Sequence, residues 1–158
     1  MQASRILPDL QCSLICEDVR QESNGNFILV GIINFIRVPE LPVTAFKLMI
    51  FNRWTAGFGN FVENVRLMAP DQSTVMRKSE VKFALQDAAL HATNVTVFGQ
   101  VKFEVPGTYF VEVLVDDVMK LRYPLPVALL PLPPKPPGAS ADAPPSPPPA
   151  AAPPSSSP

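Results

Sequence analysis

Apolar and polar residues alternate with a period of two over most of the first 130 positions, the pattern of strands that keep one face in a core. The alternation is clearest over residues 103–127. There Tyr109, Val111, Val113 and Val115 share one face, and Leu121, Tyr123, Leu125 and Val127 repeat the pattern. Asp116-Asp117-Val118-Met119 lies between the two runs and carries the Asx chemistry that closes turns, so the stretch reads as a closing hairpin. Upstream, Leu10, Cys12, Leu14 and Cys16 alternate along a first strand. Asn24-Gly25 then supplies a hairpin turn, because both residues tolerate positive φ. The second strand, 27–36, is apolar on both sides, with Phe27, Leu29, Ile33 and Phe35 opposed to Ile28, Val30, Ile32 and Ile36. Gly31 within it marks a bulge or a close backbone approach.

Pro39 and Pro42 interrupt the pattern, and a third strand begins near Val43. It is expected to place Phe46, Leu48, Ile50 and Trp54 on one face and Lys47 and Arg53 on the other. Residues 55–60 read as a loop and 61–68 as a fourth strand ending in a turn around Pro70. The next strand turns Val81, Phe83 and Leu85 inward and Lys78, Glu80 and Lys82 outward. Residues 86–92 fit a single helical turn. From Thr93 onward, Val95, Val97, Val101, Phe103 and Val105 are expected on one face and Asn94, Thr96, Gln100, Lys102 and Glu104 on the other, with a bulge or bend at Gly99.

These about seven or eight strands, separated by turn signals, predict an all-β, immunoglobulin-like antiparallel sandwich spanning residues 1–130. Nothing in the pattern alternates strand with helix, which excludes doubly wound and barrel enzymes. From Pro131 the composition changes: 13 of the last 28 residues are Pro. Such a segment has too little apolar bulk to offset its ordering entropy, so 131–158 is expected to be a disordered Pro/Ala/Ser-rich tail. Its opening L-P-L-P-P-K-P-P fits both a proline-rich ligand and a linker, and the linker is favoured.

Charge removes further classes. Lys plus Arg total 13 against 14 for Asp plus Glu, without the basic stripe that nucleic acid requires. No apolar run approaches the length of a membrane span, so no membrane insertion is expected. The opening residues lack the apolar core of a secretion signal, and the expected location is cytoplasmic. Cys12 and Cys16 would lie about 13 Å apart along a strand, too far for a disulfide. They lack companions for a metal site and are expected to be small apolar groups.

Candidate chemistry is sparse. There is no nucleophile elbow, phosphate-cradling glycine loop or H-E-x-x-H pair. His91 is the one imidazole and has no partner in the pattern. Asp116 and Asp117 suit a turn better than a cation, and Asn94-Val95-Thr96 is a sequon without a secretory context. No catalytic residue, cofactor or metal is therefore expected. The chain reads as a non-catalytic interaction or structural module, acting as a homodimer or on a protein partner. Its candidate self-association face is Ile28, Val30, Ile32 and Ile36, which need cover from a loop or a second subunit. The alternative is a small-molecule binder or enzyme with a pocket at one end, near loops 37–43, 55–60 and 86–92 and around His91.

V-P-G-T-Y resembles part of the tyrosine corner of Greek-key sandwiches, through Pro106, Gly107 and Tyr109, with Glu104 where that motif usually has Leu. A wider resemblance covers about residues 10–127. L-I-C-E-D-V-R and N-G-N-F-I-L-V-G-I-I at the start, F-K-L-M-I-F in the middle, and P-G-T-Y-F-V-E-V-L-V-D with P-L-P-V at the end resemble a family of small bacterial β-sandwich proteins of unknown function. The resemblance implies the fold and a bacterial cytoplasmic setting, and brings no functional residues with it.

Overall fold

A computed structural model describes residues 4–131. The tail expected beyond Pro131 lies outside the described residues. Nine strands occur among them: β1 (Asp9–Gln21), β2 (Phe27–Ile32), β3 (Ile36–Val38), β4 (Val43–Thr55), β5 (Gly59–Met68), β6 (Val75–Leu85), β7 (His91–Phe103), β8 (Gly107–Val115) and β9 (Val118–Leu129). They form a four-stranded sheet in the order β2-β1-β4-β7 and a five-stranded sheet in the order β3-β9-β8-β5-β6. All pairings are antiparallel except the parallel β3–β9 edge. Hairpins β1–β2, β5–β6 and β8–β9 stay within one sheet, and every other connection crosses between the sheets as in an immunoglobulin-like sandwich, with β7 to β8 forming the corner that Tyr109 occupies.

The core lies between the sheets and is built from the alternating positions of both. Ile15, Ile50 and Trp54 from one sheet meet Phe61, Val65, Val111, Val113 and Leu125 from the other. Burying one large aliphatic or aromatic side chain is worth about 1.5–3 kcal/mol, so this layer carries most of the favourable free energy. Polar contacts also cross the core. Ser13 on β1 shares a 3.0 Å hydrogen bond with Tyr123 on β9, where burial pushes the phenol up to about 12.

The closing hairpin follows the expected plan. Asp116 (φ 45) and Asp117 (φ 64) are both left-handed between the paired Val115 and Val118, the geometry of a two-residue hairpin whose twist matches its strands. At the tyrosine corner, the Tyr109 hydroxyl donates to the Val105 carbonyl at 2.8 Å, Gly107 opens β8 at φ 150, and Phe103 meets the Tyr109 ring edge-on. Adding a Cβ to Gly107 would bring it to 3.0 Å from Pro70.

Four expectations are corrected. The 27–36 run is not one strand. Ile33 still donates to the Ile15 carbonyl at 2.8 Å, but the chain then crosses over, and Ile36 pairs with Val127 in the other sheet. Residues 86–92 form no helical turn. Asp87 accepts from the Ala89 and Leu90 amides instead, and His91 begins β7. Leu10 does not share a face with Cys12 and Cys16, because the β1–β4 register shifts between Leu10 and Cys12.

The fourth correction has one cause in two strands. The β4–β7 ladder omits the Phe46–Gln100 pair and resumes in the same register, with Gln100 left-handed at φ 54. Across that gap both strands change phase. Val101 and Phe103 point inward on one side of it, but Asn94, Thr96 and Phe98 on the other, so Val97 is 54 % exposed. Phe46, expected beside Leu48 and Ile50, is 78 % exposed for the same reason. Arg77 on β6 donates to the carbonyls of Gly99 (2.5 Å) and Gln100 (2.9 Å), tying this irregular backbone to the edge of the opposite sheet.

Candidate functional site

The outer face of the four-stranded sheet is where the structure departs most from a plain sandwich. Ile15 pairs with Ile50 in the core, so strand alternation sends Leu14, Cys16, Met49 and Phe51 to the opposite face. Cys16, Met49 and Phe51 are nevertheless buried. Their cover is the β1–β2 hairpin itself. Phe27 pairs with Gln21, whereas Phe51 pairs with Leu14, seven residues back along β1. On a straight ladder those positions would be separated by about 23 Å. The Phe27 and Phe51 rings instead meet edge-on with centroids 5.5 Å apart, so the hairpin bends back over the sheet. The bend coincides with Gly31 (φ 64), where the β1–β2 ladder omits the Glu17–Gly31 pair. A side chain there would strike the Glu17 carboxyl. Lys47 anchors the folded hairpin through a 2.9 Å contact to Asp18, which also accepts from Arg20, and these two cations hold its carboxyl below the usual range.

The hairpin leaves two surfaces. Its free side is the unpaired edge of β2, where Ile28 (44 %), Val30 (36 %) and Ile32 (51 %) are exposed. Ile36 does not join them: it lies on β3 and packs against the core. Its underside forms a cleft of about 660 Å³ with the sheet, lined by Glu22, Gly25, Asn26, Phe27, Leu29, Phe51, Arg53, His91 and Thr93. The alternation had singled out Ile28, Val30 and Ile32 of the first surface, but periodicity alone could not have revealed the cleft. The only advance signals were Gly31 and the doubly apolar second strand.

The remaining residues singled out in the sequence are dispersed. His91 lies at the cleft. Asp116 lies in the β8–β9 turn of the other sheet, where its Oδ1 accepts from the Val62 amide at 2.9 Å and its Oδ2 pairs with Arg5. Asn94 of the sequon is buried, and its amide donates to Glu63 Oε2 at 3.1 Å. Cys12 and Cys16 are both free thiols, and burial pushes the Cys16 thiol up. No group of three His, Cys, Asp or Glu side chains able to hold a metal occurs among the described residues. Nor is any helix among them long and apolar enough to cross a membrane.

The three loops expected to ring one pocket do not converge. Val43 and Thr55 are opposite ends of β4, so loop 37–43 lies at one end of the sandwich and loops 55–60 and 86–92 at the other. The latter two do meet, with the Thr55 hydroxyl donating to the Leu90 carbonyl at 3.3 Å.

Sequence reasoning also missed a polar group in the core. Glu63 is fully buried, and its Oε2 accepts from the Trp54 indole and from Asn94, joining the two sheets. Burial raises its carboxyl above the usual range, and the donors from Trp54, Asn94 and Asn52 oppose that shift only in part. The Asn52 amide lies near enough to contribute, although neither of its polar atoms makes a hydrogen bond of acceptable geometry. Glu63, Trp54, Asn94 and Asn52 do not line the cleft beneath the hairpin, and the cluster reads as an inter-sheet clamp.

Among solved structures, the chain is similar to an immunoglobulin-like protein from Pseudomonas aeruginosa, at 16 % identity and a TM-score of 0.36, covering 79 % of this chain and 99 % of that one. No curated protein matches the sequence. The sequence signature of a family of unknown function, DUF6941, matches residues 11–128, which takes in all nine strands apart from Asp9 and Leu10 of β1 and Leu129 of β9. The chain is therefore a member of the DUF6941 family, an immunoglobulin-like β-sandwich.

Proposed function

We propose that this domain is a non-catalytic interaction module of the bacterial cytoplasm that self-associates through the open edge of β2. One observation carries the reading: an edge strand exposes Ile28, Val30 and Ile32 together with its unpaired backbone groups. Such an edge is a template for strand addition unless it is blunted by charge, proline or cover. β2 itself contains none of the charged residues or prolines that blunt edges. Next to it on β1, the Asp18 carboxylate is already paired with Arg20 at 3.1 Å and Lys47 at 2.9 Å, so it does not meet a second copy unpaired. A two-fold axis would bury the same patch on both copies. The two free cysteines accord with a reducing compartment.

Light scattering at micromolar concentration tests the reading. A dimer is expected for the full chain, and Ile32→Glu should yield a monomer with unchanged strand content. A wild-type mass of one chain across that range would reject self-association.

A further inference from the structure

Beyond self-association, we propose that the cleft beneath the β1–β2 hairpin binds a small organic carboxylate with an apolar body. The site is defined by the ladder. Arg53 pairs with Thr93 and Thr55 with His91, so Arg53 and Thr93 stand side by side on the outer face with His91 two residues along. Phe27, Leu29 and Phe51 supply the apolar wall, and the hairpin tip at Glu22, Gly25 and Asn26 forms the opposite side. At about 660 Å³ the cleft falls in the size range of small-molecule sites.

The need for an anion comes from Arg53. Its Nε is buried and has no hydrogen-bond acceptor. Among the described residues no carboxylate reaches its guanidinium, although Glu22 lines the same cleft. The charged end of the guanidinium lines the cleft, and a planar carboxylate accepts from such a fork in two parallel bonds. Thr93, the ladder partner of Arg53, lines the same cleft and carries a hydroxyl able to donate. Phe27, 36 % exposed and resting on the buried Phe51, offers the apolar surface on which a phenyl or short alkyl group loses its water. The arrangement favours a compact carboxylate over a phosphate ester of nucleotide size: only one arginine faces the cleft, and Glu22 opposes a second negative charge.

The test uses the full chain and phenylacetate, hexanoate and phenylacetamide as probes, followed through backbone amide resonances. Phenylacetate and hexanoate should shift the amides of Asn26, Phe27 and Thr93 saturably at millimolar concentration, and phenylacetamide should bind at least about ten-fold more weakly. Arg53→Gln should lose the carboxylate preference. Glu22 is exposed, so Glu22→Gln should leave the fold intact and tighten carboxylate binding by about two- to five-fold through lost repulsion. Absence of any shift with both carboxylates, equal binding of phenylacetamide, or weaker binding in Glu22→Gln would overturn the proposal. These shifts are read on the hairpin cleft and do not depend on oligomeric state, so they fail or succeed separately from the dimer.

Discussion

Trp54 on one sheet donates its indole N–H to Glu63 on the other, and the carboxylate that receives it is fully buried. The bond sets up an opposition between burial and pairing that pH can resolve. Because burial raises the folded-state value above the ordinary 4.5, the folded protein holds this proton more tightly than the unfolded chain. The group's contribution is therefore most favourable below about pH 4.5 and is lost as pH rises through the folded value. Glu63→Gln keeps an acceptor for Trp54 without the charge. It should be more stable than wild type in urea at pH 7.5, with the difference vanishing near pH 4. Glu63→Ala should cost about 2–5 kcal/mol, because it leaves two buried donors without partners.

Tyr109→Phe removes the hydroxyl that holds Val105. The ring is buried, but the bond is only part-buried and its acceptor belongs to the half-exposed Val105. The expected loss is therefore about 0.5–1.5 kcal/mol, the net worth of an ordinary hydrogen bond. A change below about 0.3 kcal/mol in chemical unfolding would show the bond to be incidental.

Arg77→Ala frees the Gly99 and Gln100 carbonyls at the phase change. Both are near the surface, so about 0.5–1.5 kcal/mol is expected rather than the full value of a charged hydrogen bond. Gln100→Gly should move stability the other way by about 0.5 kcal/mol, since glycine adopts φ 54 without steric cost but gives up more chain entropy. Parallel urea titrations of the two variants check the opposed signs.

The adjacent aspartates of the closing turn should separate cleanly. Asp117→Gly places glycine at φ 64 in a two-residue hairpin and is expected to stabilise by about 0.5–1 kcal/mol. Asp116→Gly gains the same freedom but loses the Val62 and Arg5 contacts, and should destabilise. Thermal unfolding of the pair is sufficient.

The sandwich was legible because its strands are amphipathic and their turns carry the residues those turns demand: Asn24-Gly25, Pro70-Asp71 and Asp116-Asp117 all punctuate where expected. At Asp71 the Ser73 and Thr74 donors even depress the carboxyl to about 2. Phase was legible only between irregularities. Strict alternation carried Val97 and Phe46 to the wrong face, because neither strand's composition announces that Phe46 and Gln100 fail to pair. The hairpin fold-back was hidden for a different reason. A strand apolar on both sides looks the same whether a second subunit or the strand's own sheet covers it. Only the Phe27–Phe51 contact distinguishes the two. Glu63 was invisible because a charged residue in an alternating strand is ordinarily assigned to solvent.

The parallel β3–β9 edge has a kinetic consequence. Ile36 pairs with Val127, so this contact closes a loop that spans β4 to β8, while β8–β9 and β5–β6 close over short turns. Loop-closure entropy makes the short pairings the earlier ones and leaves β3 to dock onto a sheet already formed. Substituting Ile36 with Ala should then speed unfolding and leave the refolding rate nearly unchanged in a stopped-flow chevron. The three residues of β3 would act as a latch, setting how long the native state lasts rather than how quickly it is reached.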